Sequence, residues 1–172
     1  MSSAPDTPQT RVYDALLTLV MCPEMQLLID EGNVVRYDVE DLKQPKKTGV
    51  SDADVPELIL VDSGITCNPF DSTSTSDVKF NFDLMISTGD MRWKEVVAQV
   101  NWILLCQLHQ WRTLLAAIEW KGRTFVKNVK PTSIVVGETN RARSTGLEGW
   151  TTIWTFLFDC KIPISDFTIS EG

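Results

Sequence analysis

The sequence predicts an α+β fold: a mostly antiparallel β-sheet with a long amphipathic helix and an N-terminal helix packed on it. Three observations carry this. Val78, Phe80, Phe82, Leu84 and Ile86 alternate with polar or charged residues, the period-two pattern of a strand with one face in the core. Soon afterwards Trp93, Val97, Val100, Leu104, Leu108 and Trp111 recur in steps of four, three, four, four and three, which stacks them in one stripe of a helix. Strand-like runs cluster before and after that helix without strict β-α-β alternation, and runs of neighbouring strands favour antiparallel pairing.

In chain order, residues 1–9 are short, polar and carry two prolines, so they read as a flexible tail. Residues 10–172 read as one α+β domain. Val12, Leu16, Leu19 and Val20 fall at helical spacing, with Thr10 or Asp6 available as a cap. Pro23 ends that helix or begins a short second one, because it lacks a backbone donor. VVRYDVE is a short strand candidate, and the acidic, Lys- and Pro-containing stretch after it has turn chemistry and no periodicity. ELILVD is a second brief strand. SGITCNPFDSTSTSD reads as another long loop, and two loops of such length suggest segments used for contact. After the long helix, Lys121 and Gly122 mark a turn between extended runs, although residues 114–120 could prolong the helix. SIVVGE is a further strand. In GWTTIWTFLFDCKIP, Trp150, Trp154, Phe156 and Phe158 line one face while Ile153 and Leu157 occupy the other, so both faces are expected to be covered.

The bulk numbers narrow the function. At 172 residues with 43% hydrophobic content, the chain suits one domain with a real core. A formal charge of −7 argues against duplex binding, which needs a broad cationic face. The charge is unevenly placed: residues 121–143 hold Lys121, Arg123, Lys127, Lys130, Arg141 and Arg143 against Glu138 alone, a segment of +5 in a remainder of −12. Cys22, Cys67, Cys106 and Cys160 are widely spaced, with one histidine, His109; zinc ligands cluster, and these do not. Three of the four cysteines sit in apolar sequence and read as small buried hydrophobes in a reducing compartment. No signal-peptide pattern opens the chain and no apolar run reaches membrane-spanning length, so a soluble, unsecreted protein is expected.

The turn Ser87, Thr88, Gly89, Asp90 between strand and helix tests for an anion site. It carries one glycine, neither GxxxxGK[ST] nor GxGxxG. Asp90 before the helix would act as an N-cap, and a carboxylate there occupies the donors and repels phosphate, so the turn reads as a scaffold corner. His109 lacks any accompanying nucleophile signature and reads as a packing or interface residue. Asp52 with Asp54, and Glu40 with Asp41, lie in loop-like sequence without the calcium-loop spacing. No catalytic residue, cofactor or metal is therefore expected. The basic segment, with Phe125 and Trp120 near it, could stack on single-stranded nucleic acid, face water, or match the acidic surface of a neighbouring copy.

The long helix carries an anomaly. Opposite its core stripe lie Ala98, Trp102, Leu105 and His109, again at four, three, four spacing. Burying Trp102 and Leu105 would contribute on the order of 2 kcal/mol each, so either a second layer such as the N-terminal helix or a neighbouring subunit should cover them.

Taken together, the N-terminal helix, the acidic loop leading into VPELILVD, the strand DVKFNFDLMI turning through STGD into MRWKEVVAQVNWILLCQLHQW, and the closing strand GWTTIWTFLFDCKIPI resemble the tail terminator and tail-completion proteins of long-tailed bacteriophages. The likeness is of pattern over most of the chain, without a diagnostic motif. It implies a non-enzymatic virion protein: a ring, commonly a hexamer, that ends the tail tube and joins it to the head-side connector. Its partners would be other copies of itself, the tail tube protein and the connector, with DNA only as passing cargo and no membrane. On this reading Ala98, Trp102, Leu105 and His109 form the subunit interface, and the six basic residues make charged contacts to neighbours. An acidic chain suits a channel that a polyanion must slide through, and the charge partition suits the two different patches a cyclic ring requires. The alternatives are a small enzyme or nucleotide-binding domain whose site is assembled from distant residues, and a single-stranded nucleic-acid binder using Phe125, Lys127 and Lys130.

Overall fold

Thr7, not Thr10 or Asp6, caps the first helix. In the computed structural model, which describes residues 6–37, 55–68, 74–88, 94–138 and 150–168, the Thr7 side chain accepts from the Thr10 amide at 3.1 Å and the Thr10 hydroxyl accepts from the Thr7 amide at 2.8 Å. This reciprocal pair satisfies two donors that a helix start leaves unpaired. Helix α1 therefore runs Pro8–Val20, and the last residues expected in the tail belong to it. Its buried positions, Val12, Leu16 and Val20, lie four apart on one face. Pro23 opens a second helix, α2, Pro23–Asp30, at the first-turn position where a missing N–H costs nothing.

The chain is a mixed α+β protein with a mostly antiparallel sheet. Strands β1 (Val35–Tyr37), β2 (Glu57–Asn68) and β3 (Thr75–Thr88) precede a 23-residue helix, α3 (Lys94–Ala116). A two-stranded hairpin, β4 (Glu119–Trp120) and β5 (Arg123–Thr124), leads into β6 (Val126–Glu138) and β7 (Trp150–Pro163), followed by a short 3₁₀ turn, Ile164–Asp166. The main sheet has the order β1-β2-β3-β7-β6, and every pair is antiparallel except β1 with β2.

Strand β2 is longer than its sequence suggests. Ser63, Gly64 and the residues to Asn68, read above as loop, continue the strand past a bulge between Asp62 and Gly64, and Gly64 to Asn68 stay in register with Asn81 to Asp77. A bulge adds a residue without ending the ladder, which hides the alternation from a period-two reading. The turn at Lys121 and Gly122 is where expected: both have positive φ, 49° and 75°, as a two-residue hairpin loop twisted to match its strands requires.

One core forms between the sheet and the helices. Val78, Phe80, Phe82, Leu84 and Ile86 of β3 and Trp154, Phe156, Phe158, Cys160 and Ile162 of β7 alternate inward, against Val97, Val100 and Leu104 of α3 and the buried stripe of α1. Phe82 stacks edge-on against Phe158 with centroids 5.5 Å apart and meets Tyr13 of α1 at 6.0 Å. The Trp154 indole N–H donates to Asn101 Oδ1 at 3.0 Å, which ties α3 to β7. Helix α3 continues to Ala116, so part of the stretch beyond Trp111 does prolong it. The expectation that both faces of β7 are covered is corrected: Thr152 to Ile162 are buried on alternate positions, while Ile153, Thr155, Leu157 and Asp159 between them are only half-buried.

Trp120 closes the end of the core where the first turns of α1 and the residues after β7 meet the hairpin. The Arg11 guanidinium lies 5.2 Å from its ring centroid and the Lys121 ammonium 5.7 Å. Arg11 also makes a forked pair with Asp6, 2.8 Å on each arm, and donates to the Glu119 carbonyl at 2.7 Å. The hydrogen bond from Arg11 holds the Asp6 carboxyl below its usual pKa. Arg11→Ala removes one of the two cations over the ring and the link between α1 and the hairpin. Its expected cost is about 1 kcal/mol, read as a drop of roughly 2–4 °C in Tm with faster amide exchange in the first turn of α1. An unchanged exchange rate there would show that the clamp carries no stability.

Candidate interaction surface

The outer face of α3 is not covered by α1. Helix α1 packs beside α3 over the sheet, and the opposite flank stays open: Trp102 is 66% exposed and Leu105 41%, with Ala98 and Cys106 exposed alongside them. Of the two covers the sequence allowed, a second layer formed by α1 or any other described element is absent over these residues. The side chain of His109 lies outside the described residues. So do those of Trp93, Leu108 and Trp111 of the core stripe, whose remaining members Val97, Val100 and Leu104 are buried. The 66% value decides the matter, because a solvent-facing tryptophan on a regular helix does nothing for this chain's own core.

The second open surface is the far face of the sheet. Register places Met85 opposite Ile153, Asp83 opposite Thr155 and Asn81 opposite Leu157, so the half-buried apolar side chains Met85, Ile153 and Leu157 stand among polar ones. The Thr155 hydroxyl donates to Asp83 at 2.7 Å within that stretch, and toward the other end the same face becomes a cross-strand charge lattice in which Lys79 meets Asp159 at 3.6 Å and Lys161 meets Asp77 at 4.0 Å. Opposite charges on facing strands stabilise modestly, and here they neutralise one another. The sheet edge formed by β6 is broken by bulges between Val126 and Asn128 and between Pro131 and Ser133. Pro131 offers no N–H, and exposed Lys127 and Lys130 flank the site. These are the devices by which proteins discourage edge-to-edge strand addition.

The described members of the basic segment are spread over the hairpin and β6. Lys121 turns onto Trp120 and bonds the Thr168 hydroxyl. Arg123, Lys127 and Lys130 are exposed on β5 and β6, and Arg141 and Arg143 lie outside the described residues. Phe125, offered above for base stacking, is buried at 1% exposure and is removed from that role. Glu40, Asp41, Asp52, Asp54, Gly89 and Asp90 also lie outside the described residues; Ser87 and Thr88 end β3.

A narrow cleft between α1 and the sheet, with about 10 Å³ of room, is lined by Tyr13, Leu17, Leu58, Leu60 and Leu84, with Arg36 as its one charged group. An open hollow of about 240 Å³ lies beside Val126, Lys127, Asn128 and Val129. Neither lining brings an acid and a base together. Among the described residues no three His, Cys, Asp or Glu side chains gather in reach of one metal ion, and no single helix is long and apolar enough to cross a membrane. All four cysteines are free. Cys22 and Cys160 are buried, with burial pushing the Cys160 thiol up to about 12, whereas Cys67 and Cys106 are exposed; two thiols, not three, behave as core hydrophobes.

Burial also raises the Glu57 and Asp62 carboxyls above their ordinary range. The unfolded chain ionises Glu57 at a lower pH than the folded chain does, so ionisation favours unfolding. Its penalty is absent below the ordinary carboxylate range and grows as pH rises through the raised value. Glu57→Gln is thus expected to raise Tm near pH 7 and to change it little at about pH 4. A variant less stable at neutral pH would mean that an ionic contact of Glu57 outweighs its desolvation. No protein-family model matches this chain, and no curated protein matches it either.

Proposed function

We propose that this chain is a non-enzymatic structural protein of a long-tailed bacteriophage, a ring-forming tail terminator that ends the tail tube and joins it to the head-side connector. The reading takes α3 as a long amphipathic helix with a second, outward apolar face. The single observation that carries it is the solvent-facing Trp102 and Leu105 on a helix whose other flank buries Val97, Val100 and Leu104 in the core. Exposed aromatic and aliphatic groups of this kind are anchors for another protein surface. A cyclic ring is heterologous, joining one patch to a different patch on the next copy. The outer sheet face, where Met85, Ile153 and Leu157 stand among Asp83, Thr155 and Asn81, supplies such a second patch on the opposite side of the protomer, and the obstructed β6 edge disfavours growth by strand addition. DNA would pass through the lumen as cargo, which suits a chain of net charge −7.

The test is gold-labelled antibody on purified particles carrying the chain, viewed by electron microscopy. Label at the neck end of the tail is expected; particles without label, or label along the tube or on the capsid, would overturn the assignment. Thermal shift against nucleotides and divalent cations tests the enzymatic alternative, which would gain from reproducible stabilisation.

A further inference from the structure

The β4–β5 hairpin is too small to hold its own shape. Each strand has two residues, and the pair forms a sheet apart from the five-stranded one; isolated two-stranded ladders are marginal in water. The turn works against it as well, because Lys121 carries a side chain at a φ of 49°, in the left-handed region that favours glycine. Trp120 is nevertheless buried, and Leu115 and Phe125 on either side of the hairpin lie in the core. The ring and the turn beyond it are held by two segments far apart in sequence. From α1, the Arg11 guanidinium lies over the Trp120 ring and donates to the Glu119 carbonyl, with Asp6 balancing its charge. From the residues after β7, the Asp166 carbonyl accepts from the Trp120 indole N–H at 3.4 Å, and the Thr168 hydroxyl accepts from the Lys121 ammonium, which lies over the same ring.

We infer that the hairpin is a two-sided latch: the first turn of α1 and residues 164–168 are tied to each other through it and loosen together, in a local opening that leaves the five-stranded sheet intact. The cation–ring contacts and single hydrogen bonds on each side are individually weak. Each side acts by ordering the ring and turn that the other side grips, so loss of one removes the geometry the other needs, which is positive coupling between two sites. Order at one segment is thereby set at the other. A partner that drew the Arg11 guanidinium onto its own carboxylate would loosen residues 164–168 without touching them. This inference does not depend on the ring assignment.

Native-state hydrogen exchange of the full chain, read amide by amide, tests this. Two amides report the two sides: Arg11, which donates to the Thr7 carbonyl at 3.0 Å, and Phe167, which donates to the Ile164 carbonyl at 3.2 Å. In the wild type both should exchange faster than the amides of β3, as local opening requires. Lys121→Met keeps a long side chain at the turn and drops the ammonium; it is expected to speed exchange at Arg11 at least about threefold, and Arg11→Met to do the same at Phe167. In the double variant R11M/K121M each amide should gain less than the product of the two single effects, because either change alone already opens the latch. The Glu31 amide at the end of α2, which donates to the Leu27 carbonyl at 2.9 Å, lies outside the latch and should keep its wild-type rate. Substitutions that speed exchange only on their own side, single effects that multiply in the double variant, exchange at Phe167 no faster than in β3, or acceleration at Glu31 equal to that at Arg11 and Phe167 would each overturn the inference.

Discussion

Phe82→Ala is expected to lower the unfolding free energy by about 3–5 kcal/mol and to drop Tm by on the order of 10 °C. Phe82 has 0% exposure and sits where three elements converge. Its ring faces Phe158 of the neighbouring strand and Tyr13 of α1, and the Tyr13 hydroxyl donates to the Leu60 carbonyl of β2 at 3.3 Å. Truncation removes the transfer free energy of the ring and leaves a hole that α1 cannot fill, because its entry angle is held by the Thr7 cap and the Arg11 clamp. With total stability of about 5–15 kcal/mol for a domain, the variant is marginal at physiological temperature. Chemical denaturation followed by tryptophan fluorescence reads the change. A loss below about 1 kcal/mol would mean that α1 is not packed on the sheet at this point.

Trp102→Ser is expected to separate stability from assembly. At 66% exposure the side chain contributes little to its own fold, so the unfolding free energy should stay within about 0.5 kcal/mol of wild type. Under the proposed function the same change removes on the order of 2 kcal/mol of apolar burial from each subunit contact. Every contact in a closed ring carries that loss, so the fraction of finished tails counted by electron microscopy should fall by far more than tenfold. Wild-type tail completion by the variant would refute the use of this face. A large fall in Tm would show that Trp102 serves the monomer instead.

Several elements were legible because local pattern and tertiary environment agree on them. The alternation of Val78 to Ile86 names a half-buried strand and its inward face, and β3 buries those residues. The Val97, Val100 and Leu104 spacing names the inner side of α3, and Pro23 marks the break between α1 and α2. The candidate surface was equally visible in outline: an apolar pair opposite a core stripe is a sequence-level signal, and Trp102 and Leu105 do face outward. The extension of β2 was not legible, because its Ser63, Gly64 and Asn68 carry turn chemistry and only pairing with β3 holds them extended. The Trp120 clamp escaped for a different reason. Arg11 and Glu119 are 108 positions apart, and no periodicity couples residues at that separation.

The sequence alone settled which residues seek the interior and in which local shape, since side-chain periods of two and of 3.6 arise from backbone geometry that every residue carries with it. Which strands become neighbours, which sheet face the helices leave bare, and whether Trp102 lies under a layer or in water were decided only in three dimensions. Those outcomes depend on long-range pairing and on how area is shared among elements, quantities that no single segment of the chain contains.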